Sequence, residues 1–496
     1  MILLVQNDVT YENDLRSMLT AFFPVEKVRA ASPREVADFD KSLFSEFSFS
    51  LTVLYDDTTT RMRLEEGGHV LYTAYTYGLY TDRKRFRNRL KLATYRLLSN
   101  YTKRTLPWGS LTGVRPTKIA TAAIEKDKTR EEIIEYYKYT YDTSDEKARL
   151  ATAVAVRERD ILETVNVVSD YCLYIGIPFC PTRCLYCSFA AIPIYENESI
   201  VGDYIETLKT ELAYISFLNR NRRLVAIYIG GGTPTSLSAG QLNELLSFIN
   251  ETFNLDSLRE FTVEAGRPDS ITMDKLETIK KNGVTRISIN PQTMNYDTLR
   301  IIGRAHTPAD IKRAMADARK AGFKNINMDI IAGLPNEDID DMAFTLREIE
   351  DMEPESLTVH SLAVKRAADL NQEYSRFRNM ISKDTDEMLS LAAKKAAAMK
   401  MKPYYLYRQK NIAGNLENVG YAKEGLECLY NVFIMEEKMD IFAAGAGAVT
   451  RLLSTENGEV VRVDRAENVK NVEEYISRID EMLERKQTGL DNRTLG

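Results

Sequence analysis

Leu173-Tyr174-Ile175-Gly176-Ile177-Pro178-Phe179-Cys180-Pro181-Thr182-Arg183-Cys184-Leu185-Tyr186-Cys187 is the stretch on which the reading of this chain turns. A short aliphatic run ends at Ile177, and three cysteines follow at spacings of four and three residues. Such a run reads as a buried strand, which puts the cysteines on the loop at its C-terminal end. The spacing lets one short loop turn three thiolates toward one side of a compact cluster, and Pro178 and Pro181 stiffen the approach by fixing φ. Thiolates suit iron–sulfur chemistry, and three ligands for four irons leave one iron open. The alternative is structural zinc, which wants four ligands in a closed tetrahedron. Only Cys172, on the strand itself, and the distant Cys428 remain to supply a fourth; packing is the expected role of both. Five cysteines are too few, and odd in number, for a disulfide framework.

Outward from this loop, short aliphatic runs alternate with helical stretches. The strands read as Leu173–Ile177, Leu224–Ile229, Phe261–Val263, Arg286–Ile289, Asn325–Ile331 and Leu357–Leu362. The helices between them read as Ile200–Asn219, Ser238–Phe253, Met273–Asn282, Ala309–Ala321 and Asp338–Met352. Strand–helix alternation of this length predicts a parallel sheet with right-handed crossovers, and the count fits a partly closed (β/α) barrel. Barrels place their chemistry at the C-terminal ends of the strands. There the second strand runs into Gly230-Gly231-Gly232-Thr233-Pro234, the third ends at Glu264, the fourth reaches Gln292 and the fifth carries Asp329. Glycines after a strand let backbone N–H groups approach a ligand closely, and three polar side chains at successive strand ends make a site.

The whole chain agrees with a soluble enzyme. It has 496 residues, 44% hydrophobic and 28% charged, a net charge of −6 and no obvious repeat. The acidic balance argues against nucleic acid as a general partner. No apolar run reaches the ~20 residues of a membrane helix, and Met1–Gln6 is too short for a signal peptide's apolar core, so the cytoplasm is the expected location. Residues 1–165 read as an α+β domain of unassigned role, with a half-buried strand in Phe47–Tyr55 and a basic helix over Arg83–Lys91. Residues 166–365 form the barrel. Residues 366–496 read as mainly helical, with a glycine-rich segment at Ala443–Ala448, and are expected to cover the active site.

The Cys-x-x-x-Cys-x-x-Cys loop after a first barrel strand resembles the radical S-adenosylmethionine superfamily. Its flanks, with Ile229-Gly230-Gly231-Gly232-Thr233-Pro234-Thr235, resemble the oxygen-independent coproporphyrinogen III oxidase (coproporphyrinogen dehydrogenase) family. The N-terminal segment and Leu111-Thr112-Gly113-Val114-Arg115-Pro116-Thr117-Lys118 resemble its HemZ-type branch. The resemblance implies a partial (β/α)6 radical-SAM barrel in an α/β protein, with Cys180, Cys184 and Cys187 holding a [4Fe–4S] cluster. It implies one or two molecules of S-adenosylmethionine, with contacts at Tyr174, Tyr186, Gly231, Gly232, Thr233, Glu264, Gln292, Arg304, Asp329, Ala363 and Val449. It further implies a 5′-deoxyadenosyl radical that takes hydrogen from a propionate β-carbon of coproporphyrinogen III, after which CO₂ and one electron leave and a vinyl group remains. An electron donor such as a flavodoxin or ferredoxin would feed the cluster.

The chain departs from the pattern in places. Relatives usually carry histidine where Gly176 stands and glycine where Pro291 stands, and Glu264-Ala265-Gly266-Arg267-Pro268 has one residue more. The best-established decarboxylases place a further cysteine two positions after the third, where this chain has Ser188-Phe189. Two alternatives therefore stay open: a haem chaperone of the same family, or a different radical reaction on a tetrapyrrole. The chaperones carry a His-Asn-x-x-Tyr-Trp segment implicated in haem binding; the comparable stretch here is Cys428-Leu429-Tyr430-Asn431-Val432-Phe433, without histidine.

Overall fold

The computed structural model describes residues 1–24, 26–39, 41–77, 82–166, 168–187, 191–362, 384–409, 413–456 and 459–494. They fall into two compact units, one of residues 1–156 with 406–418, the other of residues 157–405 with 419–496. In the first unit β1 (Ile2–Gln6), α1 (Glu12–Phe22), β2 (Val28–Ala31), β3 (Phe49–Tyr55), β4 (Thr59–Glu66), β5 (His69–Tyr77) and α2 (Arg83–Thr102) build an α+β fold. The sheet order is β2-β1-β3-β4-β5. Inward residues Leu51 and Val53 of β3 meet Leu15, Met18 and Leu19 of α1 and Leu90 and Leu98 of α2 in one apolar cluster. The alternation in Phe49–Tyr55 follows from one face of β3 packing on this cluster. Further along, Trp108 is fully buried, its indole N–H donating to Glu417 at 2.6 Å, while Lys147 pairs with the same carboxylate.

The second unit contains the parallel strands β6 (Asp170–Ile177), β7 (Arg223–Gly231), β8 (Glu260–Gly266), β9 (Arg286–Gln292), β10 (Ile326–Ala332) and β11 (Ser356–Ser361). Between them run α3 (Glu198–Leu218), α4 (Ala239–Thr252), α5 (Met273–Lys281), α6 (Pro308–Lys320) and α7 (Ile339–Asp351). The strands are almost continuously buried, as strands covered on both faces must be. Start signals in the sequence explain the helix boundaries. Ser238 with Gln241, Thr307 with Asp310 and Asp338 with Asp341 each form a capping box, and Pro308 occupies the first turn of α6, where no N–H is needed.

C-terminal to the parallel strands come α8 (Thr385–Ala398), β12 (Lys402–Arg408), β13 (Glu417–Ala422), α9 (Leu429–Glu436), β14 (Asp440–Ala444), β15 (Val449–Glu456), β16 (Glu459–Glu467), α10 (Val472–Ser477) and α11 (Ile479–Thr494). Helices make up much of this region, and its strands extend the sheet at both sides: β12-β13-β11-β10-β9-β8-β7-β6-β14-β15-β16. β14 runs parallel to β6, and β13 runs antiparallel to β11. Three irregularities interrupt the parallel part, one early in β6 between Tyr171 and Cys172 and two near the C-terminal ends of the strands. The extra residue in Glu264-Ala265-Gly266 is absorbed as a bulge, since Glu264 faces Ser288 and Gly266 faces Ile289. The register slips again between Ile289 and Gln292. Bulges re-aim side chains and gather beside active sites. No helix among the described residues is long and apolar enough to cross a membrane.

Candidate active site at the mouth of the barrel

The cysteine loop leaves β6 and is tied down on several sides. Gly232 and Thr233 donate backbone N–H bonds to the carbonyls of Ile177 and Phe179, at 2.8 and 2.7 Å, and Leu185 N–H donates to Ile302 O at 3.0 Å. Gly232 has to be glycine: a Cβ there would stand 2.6 Å from Phe179 O and 3.1 Å from Cys180 Sγ. The Thr233 hydroxyl lies 3.4 Å from Cys180 Sγ. Arg267, buried to 2% exposure, donates to both oxygens of Thr182 at 3.0 and 2.7 Å and reaches Cys184 Sγ at 3.8 Å. Asp269 holds the same guanidinium from its other edge. Burial pushes the Cys180 thiol up to about 11; Thr233 opposes this, and the nearby Cys184 and Cys187 add to it. Among the described residues no three His, Cys, Asp or Glu side chains gather closely enough to hold a single ion. Three thiolates on one loop suit iron–sulfur ligation, whereas structural zinc wants four ligands.

Beside this loop the strand ends bring a polar group together. Tyr228 O–H donates a very short hydrogen bond to Glu264. The Tyr228 ring stacks against Tyr174 at 6.3 Å, and the Tyr174 hydroxyl lies 3.3 Å from where a Gly231 Cβ would be. Asp329 accepts from the Asn327 amide at 2.6 Å and faces His360 Nε2 at 3.8 Å. Burial pushes the Glu264 carboxyl up to about 7, with Asp329 adding to the shift and Tyr228, Arg286 and His360 opposing it. Burial would raise Asp329 as well, but His360, Asn327 and Thr358 outweigh it and hold that carboxyl below its ordinary value. Two neighbouring carboxyls are thereby pushed apart, one poised near neutrality and one ionised.

Arg304 is buried next to Tyr186 and Cys184, its guanidinium donating to Asn290 O at 2.5 Å while Nε has no partner among the described residues. Gln292 is also buried, with its amide oxygen unpartnered, and its backbone is left-handed at φ 67°. Orphaned buried polar atoms are costly, and side-chain donors and acceptors left open in this way fit a polar ligand such as the amino-acid end of S-adenosylmethionine. Val449 opens β15 just after the 445–448 turn that covers Gly176. Ala363 and Ser188-Phe189 lie outside the described residues. Arg83–Lys91 and Arg115–Lys118 belong to the first compact unit. Sequence reasoning passed over Arg267, Tyr228 and His360. His360 sits one residue before the end of β11, so the strand-end rule already pointed to it; Arg267 and Tyr228 carry no local signal.

The profile of the Radical SAM superfamily matches residues 174–349. The chain is 37% identical over 395 residues to the oxygen-independent coproporphyrinogen-III oxidase-like protein HemZ of Bacillus subtilis, covering 79% of each chain. It is a radical SAM protein of the coproporphyrinogen oxidase-like family. Other relatives in this family include the heme chaperone HemW of B. subtilis, 32% identical over 62% of this chain and 76% of that one. The structure of the radical SAM enzyme HemN, coproporphyrinogen III oxidase from Escherichia coli, shares the fold with a TM-score of 0.52 at 22% identity, over 66% of this chain and 72% of that one. Radical SAM proteins bind a [4Fe–4S] cluster and S-adenosylmethionine, and the thiol set and open polar atoms at this radical SAM barrel mouth fit both.

The opposite end of this radical SAM barrel is built differently. Cys428, fully buried, donates to Glu260 Oε1 at 3.3 Å, and the Leu429 N–H donates to Oε2 at 2.8 Å. Burial, together with Glu260, pushes the Cys428 thiol far up. From there α9 projects Tyr430 into the stack, 4.6 Å from Tyr228 and 5.7 Å from Tyr174. A cleft of about 770 Å³ opens at this end too, lined by Arg259, Lys280, Lys324 and Glu260. It lies by the N-terminal ends of the strands, not where the cysteines are.

Proposed function

We propose that this chain carries out the oxygen-independent oxidative decarboxylation of coproporphyrinogen III, converting propionates to vinyl groups on the way to protoporphyrinogen IX. The observation that carries the reading is the meeting, at one barrel mouth, of a three-cysteine loop with buried polar atoms that lack partners among the described residues, Gln292 Oε1 and Arg304 Nε. Kinship with HemZ over most of both chains supports the substrate class. Cys180, Cys184 and Cys187 would hold three irons. Bound there, the cluster and S-adenosylmethionine supply one-electron cleavage of a C–S bond and hence a carbon radical; the protein orients the reactants and excludes side reactions. Arg304 would take the carboxylate of the methionyl group bidentately. Asp329, ionised, would accept from ribose hydroxyls, and Glu264 would hold either a hydroxyl or an ammonium according to its protonation. Gly231 and Gly232 leave room for backbone to approach, and Tyr174 and Tyr186 wall the pocket.

A haem chaperone of this family is the second reading, and kinship with HemW favours it. Against it, the cysteine standing in the segment that carries histidine in those chaperones is buried and bound to Glu260. An anaerobic assay decides. The reconstituted, reduced protein is given S-adenosylmethionine and coproporphyrinogen III; protoporphyrinogen and 5′-deoxyadenosine are expected together. Adenosylmethionine cleavage without any decarboxylation would remove the substrate assignment. Stoichiometric haem binding that disappears in Cys428→Ala would establish the chaperone.

A further inference from the structure

Helix α3 carries its apolar face on Val201, Tyr204, Ile205, Leu208, Leu212 and Ile215, and Glu211 falls in the middle of it. A carboxylate at such a position demands partners. It finds them in residues far along the chain. Lys486 of α11 makes a very short ion pair with Glu211, both side chains wholly buried. The Tyr475 hydroxyl donates to Glu211 at 2.5 Å, and the Asn468 amide at 2.8 Å. The remaining bond reaches the turn after β14: Gly445 N–H donates to Glu211 Oε2 at 2.8 Å, and Gly445 O accepts from Asn468 at 2.8 Å. Two helical turns earlier, Tyr204 donates to Gly176 O at 2.6 Å and accepts from Ala446 N–H at 3.1 Å. The turn is pressed so closely on β6 that a Cβ on Gly445 would stand 2.4 Å from Gly176 O.

We infer that Glu211, Lys486 and Tyr204 are positioning residues for the cofactor site, clamping the Gly445–Gly447 turn onto Gly176 and so fixing the strand end from which the cysteine loop departs. The inference rests on the reading of the barrel mouth as an S-adenosylmethionine site. A buried ion pair is a poor source of stability, because the cost of desolvation offsets the attraction, and apolar replacement of both partners is often neutral. What this pair does supply is direction: the Gly445 N–H has one acceptor, and three other groups hold that acceptor still.

The test compares cluster-loaded full-length proteins by thermal midpoint, iron content, equilibrium dialysis of S-adenosylmethionine, and the change that S-adenosylmethionine causes in the EPR spectrum of the reduced cluster. Glu211→Leu with Lys486→Met removes the acceptor for Gly445. Glu211→Gln with Lys486→Met removes the charges and keeps an acceptor. The first pair is expected to bind S-adenosylmethionine about tenfold more weakly, and the second within about threefold of wild type, the spread that one directed hydrogen bond accounts for. Tyr204→Phe deletes a single hydroxyl, leaves the ion pair alone, and is expected to weaken binding by about fivefold; it decides the matter if the Leu/Met pair does not fold. A merely structural network would lower the thermal midpoint of both pairs alike and leave binding unchanged. Wild-type affinity and EPR response in both the Leu/Met pair and Tyr204→Phe overturn the inference. A wild-type protein with a full cluster and no affinity for S-adenosylmethionine overturns the site reading itself, and this inference with it.

Discussion

The two ends of the barrel use the same residue type to opposite effect. At the C-terminal ends of the strands, Cys180, Cys184 and Cys187 sit on a loop held by backbone bonds and by Arg267, among polar atoms left without partners. At the N-terminal ends, Cys428 is fully buried and donates to Glu260, and Cys172, also fully buried, donates to Met439 Sδ at 3.4 Å. Burial pushes the thiols of both far up, so neither offers a thiolate. A cysteine's function here follows from its surroundings: both thiols at the floor are fully buried and hydrogen-bonded, whereas Cys180 and Cys187 at the mouth are part-exposed on a loop.

The contrast breaks most visibly in the cysteines. Cys184→Ala should drop iron after anaerobic reconstitution from about four per chain to below about one, since three thiolates are the protein's whole share of the cluster; iron analysis and visible absorption read it. A variant that keeps a full cluster would dissolve the distinction between the ends. Next comes Arg267→Ala, which removes the guanidinium binding Thr182, Cys184 and Asp269. It should cost roughly 2 kcal/mol of stability and hasten loss of the cluster chromophore in air, and urea unfolding with timed bleaching measures both.

Glu264 tests the mouth by pH. Its carboxyl titrates at about 7 in the folded chain against an ordinary 4.5, so between these values the folded chain holds a proton that the unfolded chain has released. Stability falls as pH rises through that window, and the penalty is complete above it. Glu264→Gln should therefore gain up to about 3 kcal/mol over wild type at pH 8, and nothing near pH 4. Denaturant midpoints at the two pH values show it; an equal gain at both would mean the carboxyl is not raised. The smallest effect is expected at the floor. Cys428→Ala should lower stability by about 1 kcal/mol, the worth of one hydrogen bond, and leave iron content and S-adenosylmethionine affinity as they were. Any loss of cluster in that variant would join the two ends functionally.

Much of the barrel could be read before the structure. Each parallel strand is a short apolar run bounded by a helix, and Ser238, Thr307 and Asp338 mark helix starts with residues whose only local purpose is capping. Two of the C-terminal strands, Asp440–Ala444 and Lys402–Arg408, were opaque for a physical reason. The first is five residues long, and the second shows no alternation; runs this short carry no period that tells strand from helix. At the site, the cysteine spacing is a local signal, and Glu264, Gln292 and Asp329 could be placed from strand ends alone. Arg267 and Tyr228 could not, because what they do depends on Thr182, Cys184 and Glu264, which only the folded chain brings to them. The bulge after Glu264 falls in the same stretch, Glu264-Ala265-Gly266-Arg267-Pro268, that reads as one residue longer than the family pattern.

Gln292 shows what such a site costs its owner. A left-handed backbone at a residue with a side chain is held at an expense of about 1 kcal/mol, and the amide it presents has an oxygen that no group among the described residues satisfies. Anyone hardening this protein for use would be drawn to Gln292→Gly, which relieves the backbone and deletes the orphan in one stroke. The gain in robustness would come at the expense of a buried side chain at the barrel mouth, beside a register shift in the strand that carries it. Tolerance to heat and fitness for purpose would then be pulling on the same position in opposite directions.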